Sequence, residues 1–225
     1  TGLSAGAGVL FSRYFGAKDE KNLHDSIHTG LLFSAILGVT MALVGVLLTP
    51  LLLKLVDCPA DVWGESVLYL RIYFIGVLFT SLYNVAAGVL RAVGDSRRPF
   101  YYLVVASCTN IALDLLFVAV FKMGVAGVAV ATIISQLISV LLAVRQMMTT
   151  DDVYKLVLQD LKIDGKILKD VLILGLPAAV QSGLISLSNL FVQRYINQFG
   201  SAAMAGSGAA KKIDSYMGMV AQSLG

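Results

Sequence analysis

One carboxylate, Asp114, lies within an otherwise apolar run, "NIALDLLFVAVFKMGVAGVAVAT" at 110–132. Residues 99–121 are long enough to cross a bilayer, and 123–144 cross it again in the opposite direction. A carboxylate at such depth costs roughly 3 kcal/mol on insertion scales, so it faces a bundle interior or a wet cavity. Asn110 stands one helical turn before Asp114 on the same face. At about 1.5 Å per residue, Asp114 is roughly 10 Å from the outer end of its helix and Thr132 roughly 12 Å into the next. An amide, a carboxylate and a hydroxyl thus arrive at similar levels on adjacent antiparallel helices. They offer oxygen ligands to a hard cation, or a titratable carboxyl with hydrogen-bonding neighbours. For Thr132 alone, a structural bond between helices is the simpler role.

The elements that position these groups are membrane spans. The 225 residues are 57% hydrophobic and 14% charged, with mean hydropathy +0.81. A soluble domain of this size carries roughly 25% charged residues. Residues 29–53, 72–90, 123–144 and 171–193 contain no Asp, Glu, Lys or Arg. The chain reads as an all-α, polytopic membrane bundle. Cys58 and Cys108 are far apart, show no metal spacing, and read as small apolar residues.

In order, 1–12 resembles the last turns of a span and "RYFGAKDEKNLHDS" a charged loop. One long helix follows over 27–53. Pro59 is expected to start the next helix, with Trp63 and Tyr69 in an interfacial belt. "RAVGDSRRP" is a basic turn. The polar segment 145–170 carries Val153, Leu156, Val157, Leu161, Ile167 and Leu168, a pattern that predicts an amphipathic surface helix linking two halves. Gly175-Leu176-Pro177 should kink or break the span after it. A last span begins near Ala202, and "SYMGMVAQSLG" reads as a helix cut short. His24 and His28 are expected at the solvated boundary.

Of the seventeen Lys and Arg, eleven fall in 13–25, 91–98 and 145–170. These loops share one side, which the positive-inside rule makes cytoplasmic. Lys54, Lys122 and Arg194 lie opposite, and Arg71, Lys211 and Lys212 lie within spans.

Arg71, about 12 Å from the outer end of its helix, either snorkels outward or serves as counter-charge to Asp114. Ser182, Ser186, Asn189 and Gln193 share one helix face, with Gln181 and Ser188 on a parallel line. Such a stripe glues helices together or lines a water-filled pathway. Lys211 and Asp214 are spaced to pair. Gly94 lies in no phosphate loop, since the GK[ST] ending is missing, and no catalytic or metal motif points to an enzyme or to nucleic-acid binding.

The segments "SRYFGAKD", "YLRIYFIG", "YNVAAGVLRAVGDSRRP", "NIALDLLF", "MGVAGVAVATIISQ" and "GLPAAVQSGLISLSNLFVQRYINQFGSAAMAG" together resemble the multidrug and toxic compound extrusion (MATE) family, in its DinF-like bacterial branch. The resemblance implies a fold of two six-helix lobes. This chain then runs from the end of helix 2 to most of helix 8. Residues 1–144 would be most of the first lobe, 145–170 the cytoplasmic linker and 171–225 the start of the second. It also implies a monomeric multi-pass protein of a bacterial cell membrane that exports amphipathic, often cationic, organic compounds in exchange for Na⁺ or H⁺, without a cofactor. The family's first-lobe ion site uses an Asn and an Asp four residues apart on helix 5 and a Thr on helix 6, matched here by Asn110, Asp114 and Thr132. The family's helix 1 Asp falls outside this chain, and Ile185 stands where some members have a Glu. Candidate substrate-cavity residues are Gln181, Ser182, Ser186, Asn189, Gln193, Lys211, Asp214 and Arg71. The alternative function is a flippase for lipid-linked oligosaccharide or peptidoglycan precursors, which would want a strongly cationic cavity.

Overall fold

The computed structural model describes residues 2–223, with side chains through 217. Thr1, Leu224 and Gly225, included in the expectations for the two ends, lie outside the described residues. Helix makes up 85% of the protein, and no strand occurs among the described residues. The helices are α1 (Gly2–Gly16), α2 (Glu20–Leu55), α3 (Trp63–Ala92), α4 (Arg97–Asp114), α5 (Gly124–Thr149), α6 (Gly165–Asn197) and α7 (Ser201–Ser223). Five of them, α2 to α6, are long and apolar enough to cross a membrane, counting α4 through Val120. The best 18-residue stretch of α4 is only 6% buried although its mean hydropathy is 2.2. A face that apolar is stable against lipid tails and not against water.

Local signals set the ends. Asp19 caps α2 by accepting the Asn22 N–H at 3.1 Å. At the far end of α2, Asp57 takes a left-handed conformation, φ 48°. Its N–H bonds Lys54 O and the Cys58 N–H bonds Leu53 O, a Schellman closure. Pro59 does not start α3 as expected. It sits in the preceding turn, and α-helical bonding begins only where the Ser66 N–H reaches Val62 O. Asp164 caps α6, accepting the N–H groups of Lys166 and Ile167 at 2.8 and 3.1 Å.

Those bonds hold the Asp164 carboxyl below its ordinary value, the Ile167 N–H contributing most. A depressed carboxyl stabilises the fold above its unfolded pKa, and the effect is lost as pH falls through the folded value. Acid titration should therefore expose the amides of Lys166 and Ile167 to exchange before those of the mid-helix residues, and Asp164→Asn should abolish that pH dependence.

The core gathers at the basic end. Leu10 and Phe11 of α1, Leu23 and Ile27 of α2, Val89 and Leu90 of α3, Met147 of α5, and Ile167 and Val171 of α6 are buried in one cluster. Helices α2 and α3 pack together, α5 packs on α3, α4 on α5, and α6 on α1. The alternating topology holds. Arg98 Nη1 donates to the Tyr154 hydroxyl at 3.1 Å across the basic end, while Arg194 meets Asp57 at the opposite end.

The linker departs from expectation. Residues 145–149 end α5 and 165–170 begin α6; the 150–164 between them are largely extended, with one 3-10 turn at Leu158–Asp160, and form no amphipathic surface helix. Some of the linker's apolar side chains seat in protein instead of lying on lipid, while Val153, Leu158 and Ile163 stay exposed. Tyr154 and Leu156 are buried in the core, and the Leu156 N–H donates to Met147 O at 2.8 Å. His28, expected at a solvated boundary, is fully buried and holds this segment. The Val157 N–H donates to His28 Nε2 at 3.1 Å, and Nδ1 lies 2.8 Å from His24 O. Nε2 also lies 3.1 Å from Val157 O, so both backbone polar groups of Val157 face the ring. The Asp164 N–H donates to Thr29 Oγ1 at 3.1 Å, extending the clasp by one residue. His28→Phe should leave the Val157 N–H without a buried acceptor and cost about 1–3 kcal/mol. Hydrogen exchange at Val157 and the melting temperature check this; unchanged values would show that the clasp does not hold the linker.

Pro177 neither breaks nor ends its helix, since α6 runs on from Gly165 to Asn197. One N–H is lost, but the flanking turns remain, and the helix leans on α1 at Gly175.

Candidate ion and substrate site

Helix α4 delivers Asn110 and Asp114 to one face, both half-buried. Asn110 Nδ2 and Asp114 Oδ1 are buried with no hydrogen-bond partner. Buried polar atoms are nearly always paired, so two orphans one turn apart mark a place for a further ligand or proton. An Asn amide turned by 180° exchanges N for O at the same position. Asn110 can therefore present either a donor to the carboxylate or a second oxygen to a cation.

Directly after Asp114 the helix widens into a π-turn, Leu115–Val120. The Phe121 N–H bonds Leu116 O and the Met123 N–H bonds Phe117 O. Sequence reasoning missed this turn, because it is set by how α4 meets α5 and not by local propensity. At the meeting point, a Cβ on Gly127 would lie 2.9 Å from Phe117 Cβ and 3.1 Å from Met123 Cβ. From this contact Asp114 lies three residues inward along α4 and Thr132 five residues inward along α5, about 5 and 8 Å. Thr132 does not bridge two helices. Its hydroxyl donates to Val128 O of its own helix at 2.9 Å, leaving lone pairs on Oγ1 free.

Arg71 is not the counter-charge to Asp114: it is exposed and pairs with no carboxylate among the described residues. The phenol near Asp114 is Tyr69, within electrostatic reach of the carboxylate and stacked on Tyr73 at 6.1 Å between centroids. Tyr69 starts about 9 Å into α3 from Trp63, close to the level of Asp114. Its spacing to Tyr73, one turn away, is the signal the sequence carries for this pair.

The polar stripe of α6 splits into two regions. Ser182 lines a cavity of about 200 Å³ together with Ser4, Ser34 and Ser81, bringing hydroxyls from four helices together. Gln181, Ser186 and Asn189 are exposed, and the Ser186 hydroxyl bonds Ser182 O. Gln193 belongs to the outer region, where its Nε2 donates to Asn197 Oδ1 at 2.8 Å. Lys211 does not pair with Asp214; its ammonium donates to Gln193 Oε1 at 3.1 Å. The neutral amide on the facing helix wins because both charges are exposed, where an ion pair gains little. A second, larger cavity of about 490 Å³ lies between α1 and α3, lined by Ser4, Gly8, Ser12, Asn84 and Arg91. Ser4 borders both cavities. Asn84 was legible as a polar residue within a span, but its partner face on α1 is visible only in the packed bundle. Among the described residues no cluster of three or more His, Cys, Asp and Glu is formed that could hold a transition metal.

Among solved structures, the chain is similar to an inward-facing multidrug resistance MATE family transporter of the MOP superfamily. The TM-score is 0.82 at 28% identity, over 90% of this chain and 46% of that one. It is also similar to an outward-facing MATE transporter, with TM-score 0.78 at 29% identity, over 84% and 42%. By sequence it is 36% identical to the probable multidrug resistance protein YoeA of Bacillus subtilis, over all of this chain and 50% of the relative. It is 23% identical to the multidrug export protein MepA of Staphylococcus saprophyticus, over 97% and 49%. The chain spans about half the length of the curated relatives it matches. A family model described as MatE matches residues 1–116, a stretch that ends two residues beyond Asp114. This multi-pass membrane protein of the bacterial membrane belongs to the MatE family, whose members are in general transporters and not enzymes.

Proposed function

We propose that this chain forms most of the first lobe and the start of the second lobe of a secondary antiporter that exports small amphipathic organic molecules, many of them cationic, in exchange for Na⁺ or H⁺. The observation that carries the reading is the pair of buried, unpartnered atoms on Asn110 and Asp114. A permanently unsatisfied carboxylate is costly, and a site that is filled and emptied in each cycle accounts for it. With H⁺, the protonated Asp114 donates to the Asn110 carbonyl oxygen. With Na⁺, Asp114, the rotated Asn110 amide and the Thr132 hydroxyl oxygen supply hard ligands. Either ion neutralises Asp114 and removes the penalty for closing the helices around it, so occupancy biases one conformation over the other. The hydroxyl-lined cavities that meet at Ser4 contribute to the substrate path, joined by exposed Gln181 and Ser186. The protein acts as a monomer, without a cofactor and without catalysing a chemical step. The names of the relatives support drug export over a flippase of lipid-linked precursors.

The test places the natural full-length polypeptide in proteoliposomes and follows efflux of a fluorescent organic cation under a Na⁺ gradient and then a pH gradient. Efflux driven by one gradient and not by its absence is expected. No efflux under either gradient, in protein that melts cooperatively, overturns the proposal.

A further inference from the structure

Helix α6 is held in three different ways along its length. Its inner end is clamped: Ile167 and Val171 are buried in the core, and Asp164 is tied to Thr29. Its middle crosses α1 with backbone nearly touching backbone. A Cβ on Gly6 would lie 2.5 Å from Gly175 Cα, and one on Gly2 would collide with the Ala179 backbone nitrogen. From Val180 to Val192 every side chain is exposed, although Ser182 still borders the cavity it shares with Ser4, Ser34 and Ser81. Then the helix is caught again at its outer end. Arg194 Nε donates to Asp57 Oδ2 at 2.7 Å, and Asn197 Nδ2 donates to Val56 O at 2.6 Å.

The chemistry of that outer catch is specific. Val56 is the C-cap of α2, so its carbonyl is one of the unsatisfied acceptors of a helix end. Asn197 is 5% exposed, and its own Oδ1 is used by Gln193, which Lys211 of α7 holds in turn. The α2 terminus also carries partial negative charge, which favours Arg194 and Lys211 nearby. The Arg194–Asp57 pair is half-exposed and worth little alone. The buried Asn197 bond and the relay behind it hold the contact, and the ion pair sets its register. Between clamp and catch stands Pro177, which removes one backbone hydrogen bond near the outer edge of the α1 crossing, between the Gly175 and Ala179 contacts.

We propose that α6 is a hinged arm. Its inner half is fixed to the first lobe, Pro177 is the hinge, and the Arg194–Asp57 and Asn197–Val56 contacts are a latch that closes the outer face. Pro177 and Arg194 are separated by about 26 Å of helix. A bend of about 20° at a proline carries the outer end away by roughly 9 Å, enough to admit water to the stripe at Ser186. The inference rests on the transporter reading for its purpose, but not for its geometry.

The experiment measures labelling of Ser186→Cys by an impermeant maleimide added outside, in the full-length protein with Cys58→Ser and Cys108→Ala. Arg194→Asp sets two carboxylates against each other and should raise the labelling rate roughly tenfold. Pairing it with Asp57→Arg should return the rate to within about twofold of the parent. Adding Pro177→Ala to Arg194→Asp should slow labelling again, because the hinge is stiffened. Should Arg194→Asp fail to fold, Asp57→Gly removes the carboxylate while suiting the left-handed backbone there, and it too should raise the rate. Labelling unmoved by the single variants, or not restored by the exchanged pair, overturns the latch even where gradient-driven efflux persists. Latch-dependent labelling in a protein without efflux supports the arm and overturns only the antiport reading.

Discussion

Asp114→Asn in the full-length polypeptide should abolish gradient-driven efflux while leaving the protein folded. The amide keeps the size and shape of the carboxyl but cannot take up or release a charge. Losing a charged partner of an ion or proton costs up to about 3 kcal/mol, roughly a hundredfold in affinity at 1.4 kcal/mol per decade. Melting temperature should stay equal or rise, because an orphaned buried carboxylate is replaced by a neutral group. Substrate affinity at equilibrium, without a gradient, should change by no more than a few-fold. Asn110→Ala should weaken ion dependence less. Thr132→Val should weaken it least, since that hydroxyl already spends its proton on Val128. Efflux and ion dependence equal to wild type in Asp114→Asn would remove the central residue from the mechanism.

Gly6→Val should be among the most damaging substitutions anywhere in the bundle. The nearest atoms to a Cβ at Gly6 are Gly175 Cα and N at 2.5 Å and Val171 O at 3.0 Å. All are backbone, so no rotamer change relieves the clash, and α1 must leave α6. Overpacking of this kind costs 3 kcal/mol or more, at or above the upper end of the usual range of about 1–3. Gly45 supplies a contrast, because the Cβ there meets the Phe74 ring, a side chain that can turn. Gly8 and Gly183 supply controls, with nothing within 4 Å. Gly8→Val and Gly183→Val should stay within about 1 kcal/mol of the parent, the helix-propensity change alone. Thermal unfolding in detergent, read for all four positions, tests the order. Equal melting temperatures for Gly6→Val and Gly8→Val would show that the crossing is not close-packed.

Much of this protein is legible from composition and spacing, because a bilayer imposes simple rules. Apolar runs without charge must be helices, and their lysines and arginines sort the loops. Asp114 stands out for the same reason: its charge conflicts with its depth. The resemblance to the MATE family, read from motifs spread along the chain, is met by the family match over 1–116. The linker is not legible in this way, because its apolar spacing is equally compatible with lying on lipid and with plugging Tyr154 and Leu156 into a core. Only the neighbouring helices decide between these.

The sequence by itself determined the number and order of the spans, the sidedness of the basic loops, and the candidate pair Asn110 and Asp114, since each follows from the cost of placing a polar group in hydrocarbon. Tertiary structure decided what long-range partners alone can specify. It buried His28 under the linker, gave Lys211 to Gln193 instead of Asp214, and brought Tyr69 rather than Arg71 towards Asp114. It also joined Arg194 to Asp57 across 137 residues. Each of these contacts is chosen by packing geometry between helices, a quantity that residue spacing along one chain does not encode.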